Sequence, residues 1–257
     1  MKRICSLFIA CLLLLSACSP AAAEDTASDA SLPTETRETE ATEVSLEGKK
    51  LIALTFDDGP NNSMMPAMLD VLEENNAVAT FFLIGRKVDD STRAVILRAY
   101  HMGCELGNHS YSHERMAGYT ADNAYMEYYR IQTLIKAITG EAPKYFRAPF
   151  FSVSQTMFET IDLPFIKGYS FADYDSATTK EDKVSGMLSK AEDGAIFVLH
   201  VSNGKEILTT VSAVEEIIPF FRENGFEFVT LSQLFEAKGV TPEAGTGTQY
   251  TVVTSAQ

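Results

Sequence analysis

The feature that most constrains this chain is a regular alternation of two hydrophobic patterns between residues 49 and 240. Short apolar runs bounded by turn residues are typical of buried strands, and they alternate with longer stretches whose apolar residues recur at helical spacing. Such alternation predicts a parallel sheet covered by helices. The predicted strands span residues 51–56, 77–84, 104–107, 145–148, 165–171, 195–199 and 226–230. The predicted helices span residues 63–74, 91–100, 121–138, 155–160, 180–190 and 211–222.

The turn after the first predicted strand distinguishes between two classes of α/β fold. A dinucleotide-binding fold would place a Gly-x-Gly-x-x-Gly sequence there, whereas this chain has Asp57-Asp58-Gly59-Pro60. We therefore predict a single distorted (β/α) barrel with a mostly parallel sheet and no nucleotide cofactor. In such barrels the reactive side chains lie at the C-terminal ends of the strands, so we expect the active site there.

Side chains of reactive types lie at the ends of four predicted strands. They are the pairs Asp57–Asp58 and His109–His113, and the single residues Arg147 and His200. Each has an ordinary structural explanation, because acids on loops commonly cap turns and histidines at strand ends are commonly structural. Together, however, a His-x-x-x-His segment and a carboxylate form a donor set that suits a divalent metal and leaves a position open for water. The two histidines would face one direction if residues 109–113 turned helically.

Four motifs in sequence order resemble those of a known enzyme family. They are Thr55–Pro60 (TFDDGP), His109–His113 (HSYSH), Arg147–Phe150 (RAPF) and Val198–His200 (VLH). The series resembles the polysaccharide deacetylase family with the NodB homology domain, carbohydrate esterase family 4, over about residues 49–235. The resemblance implies that Asp58, His109 and His113 bind a divalent metal. Zn²⁺ suits two histidines and a carboxylate best, and Co²⁺ or Ni²⁺ would also fit.

The resemblance also implies roles for the remaining polar residues. Asp57 would be the general base, and Arg147 would pair with it and keep it ionised. His200 would protonate the leaving amine, and the backbone N–H of Phe150 would bind the oxyanion.

The family normally places an aspartate followed by tryptophan beside the acid histidine, and this chain has no tryptophan. The favoured equivalent is Asp173, which is followed by Tyr174, and Asp175 remains an alternative. A tyrosine in place of tryptophan would change the wall of the pocket more than the reaction.

The implied activity is removal of N-acetyl groups from an extracellular polysaccharide, with N-acetylglucosamine units of peptidoglycan or chitin-like oligomers as the first candidate substrate. One alternative is an O-acetyl xylan esterase of the same fold. Others are a catalytically inactive glycan-binding lipoprotein and a solute-binding lipoprotein, the last of which predicts two lobes. The formal net charge of −14 argues against nucleic acid as a partner.

The N-terminus carries a second functional signal. Lys2 and Arg3 precede an apolar run that ends in Leu15-Ser16-Ala17-Cys18, the layout of a secretory signal that also resembles a bacterial lipobox. We predict a lipoprotein signal peptide over residues 1–18, with Cys18 as the lipid attachment that anchors an exported protein to the outer face of the bacterial cell membrane. An ordinary cleaved signal is the alternative.

Composition divides the rest of the chain into three segments. Residues 19–47 are rich in Ser, Thr and acids and are predicted to form a disordered spacer, because they have too few apolar side chains to form a core. The deacetylase domain is predicted over residues 48–240. Residues 241–257 form a polar tail whose order the sequence leaves open.

Overall fold

The computed structural model describes Leu46 and residues 48–255. The predicted signal segment, its Cys18 and nearly all of the predicted spacer lie outside the described residues, so the lipid anchor remains a prediction. None of the helices in the described part of the chain has the length and hydropathy of a transmembrane segment.

The described residues contain eight strands and seven α-helices. The strands are β1 (Lys50–Gly59), β2 (Thr80–Leu83), β3 (Glu105–Asn108), β4 (Phe165–Ile166), β5 (Tyr169–Ser170), β6 (Ala195–His200), β7 (Phe226–Phe228) and β8 (Gln249–Tyr250). The helices are α1 (Met64–Glu74), α2 (Arg93–His101), α3 (Ala121–Thr139), α4 (Gln155–Thr160), α5 (Lys180–Ser189), α6 (Lys205–Glu223) and α7 (Leu231–Ala237).

Pairing of the strands forms a mostly parallel barrel, which confirms the predicted fold class. The sheet runs in the order β3-β2-β1-β6-β5, β7 also pairs with β1, and all these pairs are parallel. Phe146 bridges Asn108 of β3 and Phe165 of β4. Because only Lys167 and Gly168 separate β4 from β5, these bridges close the ring of strands.

The central strand β1 has two buried faces. Alternate residues over Ile52–Phe56 pack in the large cluster that includes the helices, whereas Leu51 and Ala53 pack in a second cluster with residues of the barrel interior. Successive side chains of a strand point to opposite faces. The same alternation therefore places Thr55 and Asp57 on the interior face, at the C-terminal end of the strand.

Two predicted strands are shorter or more broken than the sequence suggested. The segment 145–148 forms only the isolated bridges of Phe146. The segment 165–171 is interrupted at Gly168, which has a φ of 76° and lies so close to β6 that an added Cβ would be 2.6 Å from a methyl carbon of Val198. A continuous strand with a side chain at that position would not fit.

Two helices also differ from prediction. α6 begins at Lys205 rather than at residue 211 and buries Ile207 and Thr210 in its additional turns. α7 was not predicted: the strand predicted over residues 226–230 ends before it, and no helix is predicted after residue 222. The signal for α7 was present in the sequence, since Thr230 and Gln233 form a capping box at its N-terminus.

Part of the predicted polar tail belongs to the barrel. β8 pairs with β4, and Val253 is buried with its N–H donating to the carbonyl oxygen of Gly194. Gly194 has a φ of 94°, and an added Cβ would lie 2.0 Å from the carbonyl oxygen of Val253. The C-terminal segment thus covers the N-terminal end of β6, at the opposite end of that strand from His200.

Candidate active site

Both carboxylates at the end of β1 face the same space. Asp57 points inwards by strand alternation, and Asp58 would then point outwards in a regular strand. The register shifts between Phe56 and Gly59, and Asp58 has a left-handed φ of 70°. A β-bulge of this kind turns a side chain onto the opposite face, so the local irregularity brings Asp58 to the site.

The two histidines converge without a helical turn. Residues 109–113 form an irregular loop, and Ser110 and His113 have φ values of 62° and 60°, which an α-helix excludes. The Ser110 hydroxyl oxygen accepts from the His113 N–H at 3.0 Å, and the Asn108 side chain accepts from the Ser110 N–H at 3.0 Å. These bonds hold the imidazole rings of His109 and His113 with their centroids 5.0 Å apart. A helical turn is therefore not needed for the histidines to face one direction, because a tight loop with two left-handed residues gives the same convergence.

Asp58, His109 and His113 form a three-residue donor group. Asp58 Oδ1 lies 3.6 Å from His109 Nε2 and 3.1 Å from His113 Nε2, and one donor atom from each residue lies within 4.8 Å of the others. Asp58 Oδ1 is buried and accepts no hydrogen bond from the described residues. Burial raises the pKa of Asp58, but the adjacent histidines outweigh it and hold that pKa well below its usual range.

The backbone selects the form of His109 that a metal needs. His109 Nδ1 lies 2.8 Å from the carbonyl oxygen of Arg147, which can only accept, so Nδ1 carries the hydrogen. Nε2 then presents its lone pair towards Asp58. An unpartnered carboxylate oxygen, an oriented imidazole and a second histidine fit a divalent metal of the zinc type.

Arg147 is fully buried beneath this group. Its Nη1 donates to Asp57 Oδ1 at 2.6 Å and to Thr55 Oγ1 at 2.8 Å, and its Nε donates to the carbonyl oxygen of Ile166 at 3.3 Å. The guanidinium also lies over the Phe82 ring, 4.1 Å from the centroid. Asp57 is thereby held in one orientation, with its Oδ2 3.7 Å from His109 Nε2.

His200 is paired with Asp173. His200 Nδ1 lies 2.7 Å from Asp173 Oδ1, and the His200 N–H donates to Asp173 Oδ2 at 2.8 Å. Asp175 is exposed and accepts from the N–H of Ala177 instead. Burial lowers the pKa of His200, but the hydrogen bond and charge of Asp173, supported by Asp57 and Asp58, raise it to about 9.

His200 also lies beside the base candidate, because it pairs with Asp57 across β6 and β1. The six polar residues singled out at the strand ends therefore meet at one rim of the barrel, together with Asp173.

Two exposed aromatic side chains flank the site. Phe150 is 52% exposed and its ring centroid lies 4.8 Å from that of His113. Tyr174 is 56% exposed and lies edge-on to His200, 5.1 Å between centroids. Phe150 has a left-handed φ of 56°, so the backbone turns sharply at the position expected to supply the oxyanion N–H. The rings stand where a sugar could lie between the donor group and His200.

Several residues that shape the site were not singled out from the sequence. Thr55 accepts from Arg147 and donates to the carbonyl oxygen of Phe197 at 2.6 Å, and its place two residues before Asp57 was the available signal. Lys87 Nζ donates to the backbone oxygen of Asp58 at 2.8 Å, and Thr210 contacts Asp173. For Lys87 and Thr210 no local sequence pattern indicates the contact.

Comparison with known proteins finds relatives that are described as deacetylases. Residues 46–162 match the family model described as polysaccharide deacetylase. A bifunctional xylanase/deacetylase of Pseudobutyrivibrio xylanivorans is 45% identical over 196 residues, which are 76% of this chain and 32% of that protein. A peptidoglycan-N-acetylglucosamine deacetylase of Bacillus cereus is 30% identical over 191 residues, 73% of this chain and 69% of that protein. The chain thus spans less than two thirds of the xylanase/deacetylase.

Among solved structures, a family 4 acetyl xylan esterase from Clostridium thermocellum in complex with a cobalt ion has the same fold. The TM-score is 0.77 with 38% sequence identity, and the match covers 79% of this chain and 99% of that one.

Proposed function

The chain belongs to the polysaccharide deacetylase family, and from this premise we propose that it is a metal-dependent hydrolase that removes acetyl groups from an extracellular polysaccharide. The observation that carries the proposal is the meeting of a candidate base, Asp57, and a candidate acid, His200, beside the donor group of Asp58, His109 and His113. The extracellular location rests on the predicted signal segment at residues 1–18.

We propose that Asp58, His109 and His113 hold the divalent metal, with Zn²⁺ as the first candidate and Co²⁺ or Ni²⁺ as alternatives. The cobalt ion in the acetyl xylan esterase structure supports a divalent ion in this fold. When bound, such an ion polarises a carbonyl group and makes a water molecule a stronger acid near neutral pH.

Asp57 supplies the base. Its carboxylate takes the proton of the attacking water, while the water oxygen forms a bond to the acetyl carbonyl carbon. Arg147 keeps Asp57 in place for this step, and Thr55 holds Arg147, because Arg147 Nη1 donates to both side chains. The backbone N–H of Phe150 is proposed to stabilise the oxyanion, for which the sharp turn at this residue gives support.

His200 supplies the acid. Its Nδ1 is occupied by Asp173, so Nε2 is the nitrogen that can donate to the substrate. Protonation of the amide nitrogen allows the C–N bond to break, and the products are the free amine and acetate. A pKa of about 9 keeps His200 protonated at neutral pH before the reaction.

Two classes of polysaccharide are candidate substrates. The relative from Bacillus cereus supports the N-acetylglucosamine polymer that the sequence suggested first. Acetylated xylan is a second candidate because the xylanase/deacetylase and the acetyl xylan esterase share more identity with this chain, 45% and 38% against 30%.

The proposed function predicts metal-dependent acetate release. The purified chain should be assayed on N-acetylglucosamine oligomers, peptidoglycan and acetylated xylan, after chelation and after addition of Zn²⁺ or Co²⁺. We expect release from at least one substrate, loss of release on chelation and recovery on addition of the metal. No release from any of the three by metal-loaded protein would instead favour the inactive glycan-binding alternative.

Replacing Asp173 with asparagine should move the alkaline limit of activity to lower pH. Burial lowers the pKa of His200, and Asp173, with Asp57 and Asp58, raises it to about 9, so removal of the Asp173 carboxylate should lower this pKa. The acid form of His200 would then be lost at lower pH. A profile of kcat/KM against pH measures the shift, and Asp175→Asn, which removes an exposed acid nearby, is the matched control. An unchanged alkaline limb in Asp173→Asn would contradict the role given to the pair.

A further inference from the structure

Lys183 of α5 is a fully buried cation that the mechanism above does not use. Its Nζ donates to the carbonyl oxygen of Glu206 at 2.8 Å, to Thr210 Oγ1 at 3.2 Å and to Thr209 Oγ1. An ammonium group has three N–H bonds and no acceptor, so these three oxygens from α6 satisfy it completely. Burial of a cation at this depth is costly unless its N–H groups are hydrogen-bonded, as these are.

The contact with Thr210 fixes the direction of a hydroxyl hydrogen. Because Lys183 can only donate, the oxygen of Thr210 accepts from it, and the hydrogen of the hydroxyl must point elsewhere. Asp173 Oδ2 lies 3.2 Å from Thr210 Oγ1 and can only accept in its ionised form. Hydrogen bonds therefore run in one direction, from Lys183 to Thr210 and from Thr210 to Asp173.

Asp173 thus receives donors from two elements: its Oδ2 accepts from the His200 N–H of β6 at 2.8 Å and from the Thr210 hydroxyl of α6, and its Oδ1 faces His200 Nδ1 at 2.7 Å. Asp173 is completely buried, so no water at its surface competes with these bonds. A stronger hydrogen bond from Thr210 to Asp173 then leaves less negative charge on Asp173 to stabilise protonated His200.

We propose that Lys183 is a positioning residue for the acid of the reaction: it fixes the Thr210 hydroxyl as a donor to Asp173 and so limits the negative charge that Asp173 presents to His200. The inference rests on the proposed function, in which His200 is the acid. Lys183 and Thr210 act through Asp173, since among the described residues neither of them makes a hydrogen bond to the donor group or to His200.

The need for such a restraint follows from the surroundings of His200. Asp57 and Asp58 face it from β1, Asp173 precedes α5, and the Tyr174 ring packs against it. All three carboxylates strengthen the hold of His200 on its proton, and an acid that holds its proton too tightly donates it slowly. Arg147 already pairs with Asp57, and Lys183, acting through Thr210, reduces the effect of Asp173.

The test compares two adjacent threonines. Thr210→Val removes the donor to Asp173, whereas Thr209→Val removes an acceptor of Lys183 that makes no hydrogen bond to Asp173 in the described structure. The readout is the pKa of His200 in the zinc-loaded protein, followed by NMR titration of the labelled imidazoles and assigned with His200→Gln. Lys183→Met provides the second variant.

We expect Thr210→Val and Lys183→Met to raise the pKa of His200 by about 0.5–1 unit, because Asp173 then keeps more of its charge for His200. Thr209→Val should leave it unchanged. In acetate release, the alkaline limb should move to higher pH, opposite to the shift in Asp173→Asn, with kcat lowered and KM unchanged.

A pKa of His200 that stays constant or falls in Thr210→Val would overturn the proposal, whatever the variant does to stability. Valine keeps the shape of threonine, so this variant decides the question even if Lys183→Met does not fold. The titration needs no turnover. Failure of acetate release in the unmodified protein would therefore refute the proposed function without being mistaken for failure of this inference.

Discussion

Replacing Asp57 with asparagine should lower acetate release by about 10²–10⁴-fold, the usual contribution of a general base. Asparagine has the same shape, and its oxygen can still accept from Arg147 Nη1, which lies 2.6 Å from Asp57 Oδ1. It cannot take a proton from water. The donor group of Asp58, His109 and His113 is left intact, so the zinc content should not change.

The control for this experiment is a charge change of the same kind at an exposed position. Asp175→Asn removes an exposed carboxylate that contacts only a local backbone N–H in the described structure. The activity of this variant should stay within roughly twofold of the unmodified protein, because substitutions of exposed residues outside the site have small effects. Zinc content, circular dichroism and acetate release would be measured together for both variants. Loss of zinc from Asp57→Asn would show that Asp57 is a metal ligand rather than the base.

The sequence predicted those parts of the fold that depend on local periodicity. The apolar run Leu51–Phe56 predicted a buried strand with Asp57 at its C-terminal end, and the structure has both in β1. α4 was predicted over its observed span, Gln155–Thr160. In these segments the hydrophobic pattern and the tertiary environment favour the same structure, so the local sequence is sufficient to predict it.

Features that depend on contacts between distant residues could not be predicted in the same way. The predicted strand 165–171 is interrupted at Gly168, which lies against Val198 of β6, and nothing within the segment indicates that neighbour. The segment after residue 240 has few large apolar residues, yet Val253 is buried because Gly194 leaves space for its backbone. These features depend on pairs of segments that are far apart in the sequence and come into contact only in the folded barrel.

The candidate site likewise has features that the local sequence predicts and features that depend on contacts between distant residues. Its position at the strand ends was predictable, because the reactive residue types follow apolar runs. The left-handed conformations of Asp58, Ser110 and His113 were not, since Asp, Ser and His adopt them only where surrounding bonds compensate for the strain. The motif identified the residues, and the loop geometry explains how they reach a common point.

Replacing Arg147 with methionine should be the most destabilising single change at the site, at a cost of about 3–5 kcal/mol in the free energy of unfolding. Arg147 is completely buried, and its removal leaves the Asp57 carboxylate without its cation in a site that water barely reaches. Thr55 also loses its donor. Urea unfolding with linear extrapolation measures the change.

The double variant Arg147→Met, Asp57→Asn separates the two reasons for keeping the arginine. A buried ion pair is often no more stabilising than neutral side chains of similar size, and Arg147 Nη2 has no hydrogen-bond partner among the described residues. We therefore expect the double variant to recover most of the stability that Arg147→Met loses, with a coupling free energy above about 1 kcal/mol in the double-mutant cycle. Acetate release should remain abolished. Equal stability of the single and the double variant would mean that Arg147 stabilises the barrel independently of Asp57, whereas recovery of stability without activity would mean that the pair is retained because it orients the base.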